Sequence, residues 1–119
     1  MRILVVDDST VIRMAIENAL GSDEHEIRTA SNGVEAIKRF EEFHPQVVTM
    51  DITMPEMDGL ACVEQLLERD PDVKILVVSA LADSSTAVEA VRRGARGFLL
   101  KPFTTASINT ELTELFKED

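Results

Sequence analysis

"MDITMPEMDG", Met50 to Gly59, follows the apolar run "QVVT" and places an acid where a strand gives way to proline and glycine. A strand that ends on a carboxylate and then turns sets that carboxylate at an exposed mouth. Asp51 is therefore either a chemical group or an acid that merely caps a turn.

On both sides of this stretch, short β-branched and aliphatic runs alternate with longer segments of helical period. Strands are predicted at "RILVVD" (2–7), "EIRTA" (26–30), "QVVTMD" (46–51), "VKILVVS" (73–79) and "GFLLK" (97–101). The first, third and fourth are the most continuously apolar, as strands covered on both faces must be. Helices are predicted from Ser9 to Leu20, Gly33 to Phe43, Asp58 to Arg69, Ser84 to Arg93 and Thr104 to Phe116. Leu60, Val63 and Leu67, and then Ala87, Val88 and Val91, recur at spacings of three and four and so mark apolar helix faces. Gly21 and Gly94 stand where C-terminal caps belong, and Pro45 and Pro71 fall in connections. Strict βα alternation implies an α/β fold with a parallel sheet, helices on both faces and right-handed crossovers.

With 119 residues, 45% of them hydrophobic, the chain fits one domain over 1–119, with no linker or repeat. No apolar run approaches the roughly 18 residues that span a bilayer, and "MRILVVDDST" lacks a signal peptide's apolar core and cleavage site. A cytoplasmic protein without membrane contact is expected. The net charge of −10 repels a phosphate backbone, which argues against direct nucleic-acid binding. One cysteine, Cys62, permits no internal disulfide and reads as packing, and His25 and His44 lack ligand spacing.

Parallel α/β sheets bind ligands beyond the carboxyl ends of their strands. Strand one ends in Asp7 and Asp8, strand three in Asp51, strand four in Ser79, and strand five in Lys101 followed by Pro102. Three clustered carboxylates repel one another and recruit a cation. Mg²⁺, which prefers oxygen ligands and takes one or two carboxylates plus a phosphate oxygen, suits that set. With a metal between them one carboxylate is able to attack phosphorus. Lys101 and the Ser79 hydroxyl are then placed to bind phosphate oxygens.

"VVDDS", "MDITMPEMDG", "VVSA" and "GFLLKPF" resemble, in order and spacing, the receiver domain of two-component response regulators, and the resemblance covers the whole chain. It is closest to the small single-domain regulators of the chemotaxis type. The resemblance implies a flavodoxin-like, doubly wound five-stranded parallel sheet of order 2-1-3-4-5 with five helices. It also implies phosphorylation of an aspartate by a partner histidine kinase, with a downstream protein such as a flagellar motor component or another effector as target. Carried over by residue, Asp51 is the phosphoacceptor, Asp7 and Asp8 hold Mg²⁺ with it, and the Thr53 backbone carbonyl completes the metal site. Ser79 and Phe98 resemble the switch pair, and Lys101 resembles the phosphate-binding lysine, with a cis peptide to Pro102. Pro55 and Gly59 shape the turn beneath Asp51. Thr53 and Leu81 resemble the positions that tune loss of the phosphoryl group, and neither carries an acid or amide to orient water.

Several of these residues have plainer readings. Asp8 is also a candidate N-cap for the first helix, and Met54 and Met57 read as loop packing. Arg92, Arg93 and Arg96 gather near the fourth helix and fifth strand as a candidate partner footprint. Two other classes use related architecture. A haloacid dehalogenase-type phosphatase needs a second aspartate two residues past its nucleophile, whereas Asp51 is followed by Ile52 and Thr53. A flavodoxin-type carrier needs a hydroxyl- and glycine-rich phosphate loop after strand one, where this chain has "DDSTVIR", and no Trp or Tyr is present to stack on a flavin. The expectation is a monomeric phosphoacceptor, not an enzyme, with at most slow self-phosphorylation from small donors and self-dephosphorylation. The alternative is an N-terminal receiver fragment of a longer regulator. "GARGF" before the lysine differs from the acidic "DDY" type that resembles winged-helix DNA-binding regulators.

Overall fold

In the computed structural model, five parallel strands stand in the order β2-β1-β3-β4-β5. The strands are β1 (Arg2–Val6), β2 (Glu26–Ala30), β3 (Val47–Asp51), β4 (Lys74–Ala80) and β5 (Gly97–Lys101). The helices are α1 (Thr10–Leu20), α2 (Gly33–Phe43), α3 (Gly59–Arg69), α4 (Ser84–Arg92) and α5 (Thr105–Lys117). Residues 1–21, 25–52, 58–80 and 84–117 are described. Thr53, Met54, Pro55, Met57 and Leu81, to which the sequence reading gave roles, lie outside them.

The strand order follows from burial. β1, β3 and β4 carry the unbroken apolar runs and occupy the centre, while β2 and β5, whose positions are partly exposed, form the edges. Alternation along each strand divides the core in two. Ile3, Val5, Val47, Leu76, Val78 and Leu99 pack against α1 and α5 through Ile16, Ile108, Leu112 and Leu115. Leu4, Val6, Val48, Met50, Ile75 and Val77 face α2, α3 and α4. Among the described residues, no helix is long and apolar enough to cross a membrane.

Local chemistry sets the helix ends. Ser9 caps α1 and Asn32 caps α2, each side chain accepting from a backbone N–H three residues on. The Asp58 side chain accepts from the Leu60 N–H at the start of α3. At the start of α5, the Ser107 N–H donates to Thr104 Oγ1 while the Thr104 N–H donates to Ser107 Oγ, a reciprocal cap. Gly21 ends α1 at φ 74°, in the region glycine favours.

Three sequence expectations change. The cap of α1 is Ser9, not Asp8, because Ser9 has the extended backbone and the accepting side chain; the Asp8 carboxylate is left for other use. Val88 and Val91 are exposed, and the buried stripe of α4 is Ala87 and Ala90. Spacing of three and four is satisfied by either set, and close approach of the helix to the sheet selects the small one. Arg93 turns toward α3, pairing with Glu64 as well as with Glu89, and Arg92 approaches Glu89 at 3.9 Å. Arg92 and Arg93 thus form ion pairs within the chain.

Candidate functional site

The strand order reverses between β1 and β3, and the carboxyl ends of those two strands carry the acids. Val6 lies opposite Met50, so Asp7 follows β1 at the level where Asp51 ends β3. The Asp7 N–H donates to the Ala30 carbonyl at 3.1 Å, continuing the β1–β2 ladder past its last formal residue. Its Oδ1 accepts from the Ser9 N–H at 2.9 Å, and its carbonyl accepts from the Arg13 guanidinium at 2.7 Å. Sequence reasoning did not find Arg13, whose partner is a backbone atom and leaves no side-chain motif to read. On the other strand, the Ile52 N–H donates to the Val78 carbonyl at 3.3 Å and holds the chain directly after Asp51.

Asp7 and Asp51 are 0% and 1% exposed, whereas Asp8 is exposed. One carboxylate oxygen from each of the three lies within 4.8 Å of the others. Lys101 enters from β5, with Nζ 3.3 Å from Asp7 Oδ2 and 3.8 Å from Asp51 Oδ2. The first distance is that of an ion pair, yet Asp7 Oδ2 has no aligned hydrogen-bond donor. The lysine therefore supplies charge rather than a directed bond. The Lys101–Pro102 peptide is cis, as the resemblance implied.

Among the described residues, one ammonium accompanies three carboxylates, which leaves the cluster net negative. An all-oxygen donor set with a buried oxygen still lacking a donor fits a hard divalent cation such as Mg²⁺ and offers nothing to a soft metal. Within the fold, Asp7, Asp8, Asp51 and Lys101 come together as the sequence predicts.

Ser79 and Phe98, the expected switch pair, lie on β4 and β5. Ser79 is fully buried one position beyond Val78, the register partner of Asp51. Its hydroxyl donates to the Ala80 carbonyl at 3.0 Å and is committed to its own strand. Phe98 is 38% exposed. It lies opposite Val77 and so two positions before Leu100, the partner of Ser79. It lines an open depression of about 540 Å³ between α4 and α5, with Val91, Leu100, Pro102, Ser107 and Glu111.

Residues 3–113 match the family described as response regulator receiver domain. Over 104 residues the chain is 40% identical to the chemotaxis protein CheY of Listeria monocytogenes, covering 87% of each. It is 37% identical to the Thermotoga maritima chemotaxis protein CheY, covering 98% of each. It is 38% identical to the Escherichia coli regulatory protein AtoC, covering 91% of this chain and 23% of that protein. The receiver domain of NtrX from Brucella abortus superposes with a TM-score of 0.92 at 31% identity, covering 98% of this chain and 99% of that one.

Proposed function

The chain belongs to the response regulator receiver domain family, and from that premise we propose that it is a phosphorylation-controlled signalling switch whose phosphoacceptor is Asp51. The observation that carries this reading is a buried Asp51 carboxylate beside Asp7, Asp8 and the Lys101 ammonium, at the ends of strands that the fold brings to one edge. A carboxylate oxygen of Asp51 attacks the phosphorus of a phosphohistidine on a partner kinase. The new P–O bond forms as the P–N bond breaks, and the imidazole nitrogen keeps the electron pair. Lys101 balances the negative charge of the arriving oxygens.

Asp7, Asp8 and Asp51 would hold Mg²⁺; the further ligand that the family resemblance implies, the Thr53 carbonyl, lies outside the described residues. When bound, the ion neutralises charge at the transferring group. The protein's own contribution is positional. Asp7 is fixed by the Ser9 N–H and by Arg13, so that one of its carboxylate oxygens faces the site. Small phosphodonors substitute slowly for the kinase, and water slowly removes the group, with Thr53 and Leu81 tuning that rate.

A phosphoryl group adds about two negative charges and three acceptor oxygens. It competes with the Ala80 carbonyl for the Ser79 hydroxyl, and Phe98 moves from its exposed position into the space that Ser79 vacates. The face altered is α4–β5–α5, which already carries the apolar depression around Phe98. A downstream protein binds there in the cytoplasm. The CheY relatives favour a chemotaxis or motility target. AtoC favours a second reading, a receiver portion of a longer regulator; the full length of the encoding gene discriminates.

The test is incubation with acetyl phosphate and Mg²⁺, followed by intact mass and by amide spectra with beryllofluoride, which stands in for the phosphoryl group. One acid-labile phosphoryl group is expected on the parent and none on Asp51→Asn. Equal labelling of Asp51→Asn overturns the assignment of the acceptor. Spectral changes confined to Asp7, Asp8 and Asp51, with Phe98 and α4 unmoved, overturn the switch.

A further inference from the structure

Four polar side chains are buried among the described residues: Asp7, Asp51, Ser79 and Thr49. The first three belong to the candidate site. Thr49 is 1% exposed in the middle of β3, opposite Val5 and Leu76, where a valine would fill the same volume. Its Oγ1 has no hydrogen-bond partner. A hydroxyl buried in that condition destabilises a core, whereas an apolar group of the same shape does not.

Its place in the sheet suggests what it serves. Alternation puts Thr49 on the face of β3 that also carries Val47 and Asp51, and the matching face of β1 carries Ile3, Val5 and Asp7. Because Val5 lies opposite Thr49, Asp7 and Asp51 form the layer immediately beyond it toward the mouth. In that layer Asp7 Oδ2 is another buried atom without a hydrogen-bond partner; of the three such side-chain atoms among the described residues, two share this corner. A hydroxyl can donate, and a carboxylate oxygen only accepts. Asp7 stands diagonally from Thr49 on the neighbouring strand, and diagonal same-face neighbours are roughly 7–8 Å apart and closer at their side chains. One water with polar groups on both sides bridges such a gap.

We propose that Thr49 is a positioning residue of the acid site: its hydroxyl donates through a single internal water to the Asp7 carboxylate and orients it from beneath. The proposal rests on the reading of Asp7, Asp8 and Asp51 as a Mg²⁺ site. Groups that hydrogen-bond a ligating carboxylate fix its direction, and their loss weakens metal binding by about 10–100-fold. A threonine chosen only for strand propensity gives the opposite expectation, because valine is at least as good a strand former.

The test uses the full chain, with titration of Mg²⁺ alone by calorimetry and thermal melting without metal. Thr49→Val is expected to bind Mg²⁺ about tenfold more weakly than the parent and to melt lower in the absence of metal. Thr49→Ser deletes a methyl but keeps the donor, and is expected to keep the parent's Mg²⁺ affinity whatever its melting temperature. Parent-like Mg²⁺ affinity in Thr49→Val, or metal-free melting at or above the parent's, overturns the proposal while leaving the acid site standing. Failure of the parent itself to bind Mg²⁺ overturns both.

Discussion

The backbone of Ile52 occupies the space in which a Cβ on Gly59 would sit. Such an atom would lie 2.3 Å from Ile52 Cα and 2.9 Å from its carbonyl carbon. Only glycine lets the first turn of α3 come this close to the residue that follows Asp51. The obstruction is backbone, so no rotamer change relieves it. Gly59→Ala is expected to cost about 1–3 kcal/mol, as overpacking does. It should also slow phosphorylation of Asp51. Urea denaturation and acetyl phosphate labelling measure the two effects, and a parent-like midpoint would contradict this approach of α3 to β3.

Lys101 holds together charges that would otherwise repel. Replacing it by alanine leaves Asp7 and Asp51 buried without their shared ammonium. Because the lysine is a quarter exposed, the loss is smaller than for a fully buried pair, about 1–3 kcal/mol. Added Mg²⁺ should narrow the difference by supplying the missing charge. Denaturation midpoints with and without the ion check both points, and identical values for parent and variant in metal-free buffer would remove the lysine from the site's electrostatics.

Asp8 differs from Asp7 in being exposed. Asp8→Asn should therefore leave metal-free stability within about 0.5 kcal/mol of the parent. What it should remove is the stabilisation by Mg²⁺, which for a native-state ligand at 100 times its dissociation constant is about 2.7 kcal/mol. Melting curves across a Mg²⁺ series read this directly. An undiminished shift would place the ion elsewhere.

Cys62 gives a signature at alkaline pH. Burial pushes its thiol up from 9.0 to about 11, against a smaller opposing pull from the Arg69 charge. The folded state thus favours the neutral thiol. That preference contributes in full below pH 9 and is lost as pH rises from 9 to about 11. The stability difference between the parent and Cys62→Ala should be flat below pH 9. It should then fall with a slope of up to about 1.4 kcal/mol per pH unit. A flat difference throughout would mean that the thiol ionises as readily in the folded protein as in the unfolded one.

The strands and helices were readable because the chain marks them twice, by apolar period and by its caps and turns. "RILVVD" and "QVVTMD" each announce a buried strand that ends on an acid, and parallel topology alone brings such ends together. What the sequence could not settle was phase and direction. Val88 and Val91 satisfy helical spacing as well as Ala90 does, and only packing decides which side of α4 meets the sheet. Arg93 and Arg96 are equivalent letters near β5, but a guanidinium's reach lets Arg93 cross to Glu64 on α3. Thr49 resembles any strand threonine until its register beneath Asp7 and Asp51 is known.

The alanine stripe of α4 also bears on how the molecule breathes. Ala87 and Ala90 offer the sheet one methyl each, about 0.8 kcal/mol of burial apiece, where α3 inserts Cys62, Val63 and Leu66 and α5 inserts Ile108, Leu112 and Leu115. The C-terminal end of α4 is fastened separately. Arg93 reaches Glu64, and Gly94 stands so near Leu67 that an added Cβ would lie 2.7 Å from its Cδ1. A helix gripped at one end and lightly seated along its length opens before the domain does. Amide hydrogens of α4 should therefore exchange through local opening well below the global unfolding free energy, and those toward its N-terminus should exchange first.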